Sequence, residues 1–338
     1  MIMQLVGNRI TVSRGVPNDQ RSERIGIGGS DGHVPVLLAE AVDALGLAPG
    51  TTVADGTFGG GGHARAILEQ IQPGGRLIAF DRDGAAAQRA AAVATAFPEM
   101  LTFVHASYTA LRETLDVLSI ASVDGVLLDL GLSSFQLADS ERGFAFSADG
   151  PLDMRFDQSA GEPASELIAR IGEQELTELL WRYGDERNAR RIARAVTRAR
   201  STAPIETTGQ LAKIVSQTAG GRRGAPTHPA TRTFQALRIA VNDELGELER
   251  GLFAAVESLA PGGRLVVIAF HSLEDRLVKQ FLAQEVRGCV CPPELPVCVC
   301  GRQPRVKLIG RAERATPSEV ARNPRARSAT MRVAERLP

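Results

Sequence analysis

The sequence lacks the features of a membrane protein and of a general polyanion binder. No apolar run approaches the ~18 residues needed to cross a bilayer, and Gln4, Asn8 and Arg9 interrupt the N-terminal stretch, so no signal-peptide core forms. The 39 basic residues equal the 39 acidic ones, which excludes a chain that binds polyanions over its whole surface. We therefore expect a cytoplasmic protein, without a membrane partner, in which any nucleic-acid site is a local patch.

Cysteine and aromatic residues are also scarce. Aromatic residues make up 4% of the chain, and its four cysteines lie in one short segment, at Cys289, Cys291, Cys298 and Cys300. This clustering excludes a disulfide framework spread through a secreted fold. Four thiolates at this spacing can bind a structural zinc ion, but C-x-C pairs are less typical of zinc sites than C-x-x-C pairs. Reduced surface thiols are the alternative.

An alternation of strand and helix patterns begins at His33 and predicts right-handed βαβ units with a parallel sheet. Predicted strands with helical patterns between them cover Thr51–Asp55, Arg76–Asp81, Leu101–His105 and Val123–Asp129. Asp55, Asp81 and Asp129 end three of these strands. Ligands of open α/β sheets bind at the carboxyl ends of the strands, so we expect the three carboxylates at one ligand site.

The alternation stops at about Leu137, where helical patterns continue to Val241, and a buried strand follows at Arg264–Phe270. These patterns predict an α/β fold with a Rossmann-like, mostly parallel sheet and an inserted helical domain. The predicted segments are a disordered leader over 1–32, a core over 33–136 and 242–338, and a substrate-recognition insertion over 137–241. The second core segment carries the cysteines and a basic tail, with a possible edge strand at Thr330–Ala334.

A glycine-rich turn follows the first predicted strand. Gly59–Ala64 fits the dinucleotide pattern G-x-G-x-x-A, which is weak evidence alone. Asp55, four residues earlier, would repel a pyrophosphate but suits a positively charged ligand group, such as the amino group of S-adenosylmethionine (SAM). Asp81 can accept hydrogen bonds from ribose hydroxyls, as acidic residues at this distance do in NAD sites. A helix N-cap is the structural alternative for each carboxylate.

Eight motifs extend this pattern along the chain. In order they are His33-Val-Pro-Val-Leu-Leu, Asp55-Gly-Thr-Phe-Gly-Gly-Gly-Gly-His63, Asp129-Leu-Gly-Leu-Ser-Ser134, Glu141-Arg-Gly-Phe144, Gly150-Pro-Leu-Asp-Met-Arg155, His228-Pro-Ala-Thr-Arg-Thr-Phe234, Phe270-His-Ser-Leu-Glu-Asp-Arg276 and Asn323-Pro-Arg-Ala-Arg-Ser328. Together they resemble the MraW family of ribosomal RNA small subunit methyltransferases. The resemblance implies a class I SAM-dependent enzyme that methylates the N4 amine of one cytidine in 16S rRNA, in the decoding region of the small ribosomal subunit.

The resemblance also implies the roles of particular residues. The expected SAM contacts are Gly61, Gly62, His63, Asp81, Tyr108, Asp129 and Gln136, and the charge argument above adds Asp55. Asp129 is the candidate catalytic residue, because a strand-end carboxylate can hydrogen-bond the cytosine amino group and aim its lone pair at the methyl group. Asp129-Leu-Gly-Leu lacks the prolines and aromatic residue that follow this position in DNA amino-methylating enzymes. A contact of Asp129 with SAM, rather than with the base, stays open.

An arginine-rich segment is the candidate RNA surface. Five arginines share one face of a predicted helix, namely Arg187, Arg190, Arg191, Arg194 and Arg198. Such a face contacts phosphates in RNA-binding proteins, although a solvated charged face is its usual meaning.

The tail residues Arg325 and Arg327 are a second candidate surface. His271, after the fifth strand, is a candidate substrate contact, and a buried histidine bonded to the backbone is its alternative.

Two other functions remain as alternatives from the sequence. An NAD(P)-dependent oxidoreductase is compatible with Gly59–Ala64 and Asp81 but not with the charge of Asp55. A non-catalytic RNA-binding assembly factor would not need the glycine loop and all three strand-end carboxylates. The sequence predicts no oligomeric state.

Overall fold

The computed structural model describes residues 1–6, 9–13, 35–220, 228–289, 291–292, 297 and 299–338. The chain divides into two compact units. The core unit comprises Met1–Gly131 and Glu247–Pro338, and the inserted unit comprises Leu132–Gly246. The insertion predicted over 137–241 falls inside the second of these ranges.

One sheet of nine strands organises the described part of the core unit. In chain order the strands are β1 (Ile2–Val6), β2 (Arg9–Ser13), β3 (Thr52–Asp55), β4 (Arg76–Asp81), β5 (Leu101–His105), β6 (Val123–Asp129), β7 (Leu259–Ala269), β8 (Val306–Arg314) and β9 (Thr330–Arg336). Across the sheet they follow the order β2-β1-β5-β4-β3-β6-β7-β9-β8. All neighbours from β1 to β7 in this order pair in parallel. The predicted mostly parallel sheet is confirmed.

Helices surround this sheet and build the inserted unit. They are α1 (Leu38–Leu45), α2 (Gly62–Ile71), α3 (Ala86–Ala96), α4 (Leu111–Val117), α5 (Ser134–Ala138), α6 (Ala164–Arg170), α7 (Glu173–Gly184), α8 (Ala189–Arg200), α9 (Thr208–Ala219), α10 (Thr231–Asn242), α11 (Glu244–Ser258), α12 (Ser272–Arg287) and α13 (Pro317–Arg322). Short 3₁₀ helices cover Tyr108–Ala110, Ser140–Arg142 and Pro324–Ser328. Among the described residues, none of these helices has the length and apolar character of a membrane span.

The sheet is buried on both faces, as its near-continuous apolar strands require. Along β6, Val126 and Leu128 pack with apolar residues of α4, α11 and α12, whereas Leu127 packs on the opposite face with α1, α2 and α3. Each such side chain stabilises the fold by about 1.5–3 kcal/mol on full burial. The two layers fix β6, which ends at Asp129 in the middle of the sheet.

The beginning of the chain differs from the predicted disordered leader. β1 pairs in parallel with β5, with Ile2 opposite Phe103, and β2 returns antiparallel to β1. The side chain of Met3 is fully buried in the core. Without β1, strand β5 would present unpaired backbone groups at the sheet edge. The five residues of β1 have only a weak sequence pattern, so this strand was not predicted. The rest of the predicted leader, 7–8 and 14–32, lies outside the described residues.

The last strand also differs from its prediction. The segment predicted as an edge strand lies inside the sheet, because β9 runs antiparallel between β7 and β8 and pairs with both. Local sequence pattern predicts a strand but not its neighbours.

The inserted unit is helical around its own apolar core. The helical pattern from Ser165 to Tyr183 forms two helices, α6 and α7, because the chain is not helical at Ile171 and Gly172. In α8 the side chains of Ala189, Ile192 and Val196 are buried, as the amphipathic pattern predicts.

Candidate active site at the carboxyl ends of the strands

The segment Asp55–Gly62 turns from β3 into α2 through a tightly packed glycine loop. Gly61 has φ +80°, in the left-handed region, and a Cβ there would lie 2.8 Å from Phe58 Cζ. A Cβ on Gly62, the first residue of α2, would lie 2.2 Å from Pro35 Cγ. The loop therefore needs glycine at both positions, and it presents backbone rather than side chains at the strand ends.

Asp55 is a buried carboxylate at the entry to this loop. Its Oδ1 accepts a hydrogen bond from the Thr57 backbone N–H at 3.0 Å, and Oδ2 has no hydrogen-bond partner among the described residues. Burial raises the pKa of Asp55 to about 7, and the charge of Asp81 adds to this effect. The hydrogen bonds from Thr57 lower the pKa and oppose the rise. A buried carboxylate oxygen without a partner is costly, and a bound cationic group would remove that cost.

Asp81 supports the same loop from the end of β4. Its Oδ2 accepts from the Gly59 N–H at 2.8 Å, and Oδ1 accepts from the Asp83 N–H at 2.8 Å. Burial raises its pKa to about 6, with these two hydrogen bonds opposing. Asp81 is not the N-cap of α3, since that position is Ala85. Each carboxylate oxygen retains a lone pair that can accept from a ribose hydroxyl.

Asp129 contacts the start of α2. Its Oδ2 lies 3.4 Å from Nδ1 of His63, and 24% of the Asp129 side chain is exposed, against 6% of the His63 side chain. The backbone N–H of Asp129 donates to Thr57 Oγ1 at 2.7 Å. Within the described residues, Asp129 Oδ1 has no hydrogen-bond partner. One oxygen thus faces the histidine, and the other is available as an acceptor.

Burial controls the charge of both groups in this contact. Burial lowers the pKa of His63 to about 4, although a hydrogen bond with the Val36 backbone opposes this decrease. The imidazole is therefore neutral at pH 7. Burial also raises the pKa of Asp129 well above its usual value, and the carboxylates of Asp55 and Glu274 add to this effect. The Asp129 carboxyl is therefore a stronger base than an ordinary aspartate.

Sequence reasoning missed two charged neighbours of Asp129, Glu274 and Arg325. The Arg325 guanidinium acts against the rise in the Asp129 pKa. Arg325 lies half-buried in the 3₁₀ helix Pro324–Ser328, whereas the sequence suggested a surface tail. The signal that pointed to these residues was their position in the motifs Phe270–Arg276 and Asn323–Ser328.

Tyr108 lies beside the glycine loop, in the 3₁₀ helix that follows β5. A Cβ on Gly56 would be 2.8 Å from Tyr108 Cβ, and a Cβ on Gly251 would be 2.1 Å from Tyr108 Cε2. The ring is therefore packed between the loop and α11. The core unit thus brings together seven of the predicted cofactor residues, Asp55, Gly61, Gly62, His63, Asp81, Tyr108 and Asp129.

Comparison with known proteins shows the family of this chain. The sequence model of the MraW methylase family matches residues 30–337. The chain belongs to the MraW methylase family. Two relatives named "Ribosomal RNA small subunit methyltransferase H", from Thermomicrobium roseum and Aromatoleum aromaticum, are each 53% identical to it over 306 residues. The alignments cover 90% of this chain and 94% and 96% of the relatives.

The family and the topology together establish a class I SAM-dependent methyltransferase fold. The strand order β5-β4-β3-β6-β7 is followed by β9, which runs antiparallel to β7. A dinucleotide-binding Rossmann sheet continues with a parallel strand at this position. Topology and the charge of Asp55 thus both argue against the NAD(P)-dependent oxidoreductase.

Two predicted site residues of this MraW-family protein take part in capping boxes at helix N-termini. Gln136 belongs to the inserted unit, where its Oε1 accepts from the Ser133 N–H at 3.0 Å in a capping box; its contact with SAM stays a prediction. His271 is the N-cap of α12, and Nδ1 accepts from the Glu274 N–H at 3.4 Å. The side chain of His271 is 11% exposed, which favours the backbone-bonded alternative over an RNA contact.

The arginine face of the methylase lies in the inserted unit. The five predicted side chains, Arg187, Arg190, Arg191, Arg194 and Arg198, are all exposed. Arg194 forms an ion pair with Glu173 of α7, with Nε and Oε1 3.5 Å apart. Sequence reasoning missed Trp181 of α7, which is the single tryptophan of the chain and is 70% exposed. The sequence pattern that could have pointed to Trp181 is an aromatic residue on the polar side of an amphipathic helix.

Three of the four cysteines converge in the structure. The Sγ atoms of Cys289, Cys291 and Cys300 all lie within 4.8 Å of one another. Cys298 lies outside the described residues.

Proposed function

We propose that this MraW-family methylase transfers a methyl group from SAM to the exocyclic N4 amine of one cytidine in 16S rRNA, in the decoding region of the small ribosomal subunit. The observation that carries the proposal is a pair of buried carboxylate oxygens, Asp55 Oδ2 and Asp129 Oδ1, which lack partners among the described residues. They stand at the ends of the adjacent strands β3 and β6. One suits a cationic cofactor, and the other suits an amino group. Relatives named as small-subunit rRNA methyltransferases support the choice of RNA.

The glycine loop and its carboxylates would hold the cofactor. Asp55 would accept from the SAM amino group, and Asp81 would accept from the ribose hydroxyls. Gly61 and Gly62 allow close approach to the backbone, and Tyr108 borders the loop. SAM supplies an electrophilic methyl group on a positively charged sulfur.

Asp129 would act on the base. The N4 lone pair of cytosine is delocalised into the ring, so the amine is a weak nucleophile. An acceptor that binds the amino hydrogens localises the lone pair and orients it, and positioning supplies much of the rate gain in such reactions. In the transfer an N4–C bond forms, the S–C bond breaks with its electron pair left on sulfur, and the amine loses one proton. The raised pKa of Asp129 suits this carboxylate to receive that proton.

His63 and Arg325 would position and tune Asp129 rather than touch the base. Neutral His63, 3.4 Å from Oδ2 of Asp129, would fix that oxygen and leave Oδ1 for the amine. Arg325 opposes the rise in the Asp129 pKa. Together they would keep enough of Asp129 ionised near neutral pH to accept the amino hydrogens.

The exposed arginine face of α8 and Trp181 of α7 would form the RNA-docking surface. Arginines bind phosphates in a bidentate manner, and an exposed indole can stack on an unpaired base. The ion pair of Arg194 with Glu173 shows which side of α7 faces α8. Trp181 lies eight residues after Glu173, about 80° around the helix, so it lies towards the same flank. Only four residues, 185–188, join the two helices, which supports a common surface for Trp181, near the end of α7, and the first arginines of α8.

The proposed reaction is tested by its product. Unmethylated small ribosomal subunits and free 16S rRNA are each incubated with methyl-labelled SAM, and the RNA is digested to nucleosides. Label in N4-methylcytidine from a single position supports the proposal. SAM binding with no label in either RNA favours the non-catalytic assembly factor, and label in another nucleoside refutes the N4 assignment.

A further inference from the structure

The cysteines lie in a loop that leaves α12 and returns to β8. At its base, the Arg305 N–H donates to the Glu285 carbonyl oxygen at 2.9 Å. Gly288 has φ +69°, and a Cβ on it would lie 2.4 Å from the Gln303 carbonyl carbon. The outgoing and returning chains are therefore in contact, and the cysteines belong to the closed loop between them.

Among the described residues of this loop, the valine side chains are not buried. Val297 is 70% exposed and Val299 is 76% exposed, and the described residues between Gly288 and Pro304 form neither helix nor strand. The described residues of the loop thus provide no apolar core, and a short segment of this kind needs a cross-link to keep three sulfur atoms together.

The distance between two of the sulfur atoms matches coordination to one tetrahedral metal ion. Sγ of Cys289 and Sγ of Cys300 are 3.8 Å apart. Two thiolates bound to Zn²⁺ at ~2.3 Å and at a tetrahedral angle are ~3.8 Å apart, whereas disulfide sulfurs are ~2.05 Å apart. An iron–sulfur cluster distributes its thiolates over several iron atoms, which separates them more widely than the 4.8 Å that encloses all three sulfurs here.

A backbone donor supports one of the sulfurs. The Val299 N–H donates to Cys291 Sγ at 3.4 Å. Hydrogen bonds from groups around the ligands orient metal-bound thiolates and stabilise their charge. Zn²⁺ is the ion that proteins most often bind through thiolates in structural sites.

We infer that Cys289, Cys291 and Cys300 bind one Zn²⁺ ion, which cross-links the loop between α12 and β8. Each cysteine that binds the ion loses its thiol proton to solvent, and no redox change occurs. The ion has a structural role that is separate from methyl transfer. Cys298 lies outside the described residues, and the inference rests on the other three cysteines.

The test measures the metal in the full-length protein, purified without a metal-affinity tag or chelator. Elemental analysis of protein expressed with added zinc is expected to find about one zinc per chain. Cobalt substituted for zinc is expected to give the intense red-region bands of tetrahedral thiolate coordination. Cys289→Ser and Cys300→Ser are each expected to lower the zinc content at least tenfold.

Val299→Ser is the matched control, because it changes an exposed side chain of the same loop and keeps the backbone N–H. It should retain the metal. SAM binding shows whether each variant is folded, independently of RNA methylation. Zinc-free wild-type protein, a Cys289–Cys300 disulfide in its mass spectrum, or full zinc content in both cysteine variants would overturn the inference.

Discussion

His63 Nδ1 lies 3.4 Å from Asp129 Oδ2 and joins the second residue of α2 to the last residue of β6. This contact connects the glycine loop, which precedes α2, with the carboxylate proposed to act on the base. Because burial lowers the pKa of His63 to about 4, Asp129 lies beside a neutral imidazole, and the contact is not an ion pair between two charged groups. His63 therefore adds no positive charge beside Asp129.

Asp55→Asn should weaken SAM binding by about 10- to 100-fold, since a buried hydrogen bond to a charged group contributes about 1.5–3 kcal/mol. Isothermal titration calorimetry with SAM measures the change. Asp116→Asn is the control, because that carboxylate lies 66% exposed on α4 in a surface ion pair with Arg112; its affinity should equal that of the wild type. Equal affinities for all three proteins would exclude Asp55 from the cofactor site.

SAM affinity should rise with pH through the titration of Asp55. Its pKa is raised to about 7 in the ligand-free protein, and a cationic ligand binds the ionised form. Binding therefore releases a proton, and affinity at pH 6 should be about tenfold below its plateau. Dissociation constants measured between about pH 5.5 and 7.5 should show this slope in the wild type and a smaller one in Asp55→Asn, in which Asp81 still titrates. Equal slopes would contradict the assignment.

Arg325→Gln should shift the acidic limb of the pH–rate profile to higher pH. The guanidinium lowers the Asp129 pKa, so its removal raises that pKa and leaves less carboxylate ionised at neutral pH. The measurement is kcat against pH with saturating SAM and RNA. Arg327→Gln, at an exposed position of the same 3₁₀ helix, should keep the wild-type profile. A shift in both variants, or in neither, would refute the coupling.

Much of the sheet was predictable, because each buried strand is a short apolar run bounded by turn residues. Arg76–Asp81, Leu101–His105 and Val123–Asp129 have the predicted bounds. The location of the carboxylates followed from the rule that parallel strands end at one edge. β1 and the interior place of β9 were not predictable, because strand pairing between distant segments leaves no local pattern.

The same limit applies to the candidate site. The approach of Arg325 to Asp129 joins residues far apart in the chain, and no periodicity encodes it. His271 shows the opposite case, because a capping box has a local signature, His271 followed three residues later by Glu274. The position of His271 after a strand nevertheless led us to name it as a candidate substrate contact.

The fluorescence of Trp181 should report RNA binding directly, since it is the single tryptophan of the chain and is 70% exposed. Stacking on a base should quench it as unmethylated 16S rRNA is added. Trp181→Ala should weaken RNA binding about 5- to 100-fold, because it removes a stacking interaction of ~1–3 kcal/mol, while Trp181→Phe should retain most of the affinity.

Arginine substitutions test the rest of that surface. Arg190→Gln with Arg198→Gln should reduce the salt dependence of RNA binding, with a change in slope of about 0.7–0.9 for each phosphate that the protein no longer neutralises. Unquenched Trp181 together with an unchanged salt slope would place the RNA elsewhere.

The most direct test of the account is the single-turnover rate of methyl transfer by Asp129→Asn at saturating SAM, measured together with its SAM dissociation constant. The substitution keeps the size of the side chain and removes its ability to accept a proton. We expect a fall in rate of about 100-fold or more, with SAM affinity within about threefold of the wild type, a free-energy change below 1 kcal/mol. An unchanged rate, or a loss of SAM affinity large enough to explain the fall, would contradict the assignment of Asp129 to the base.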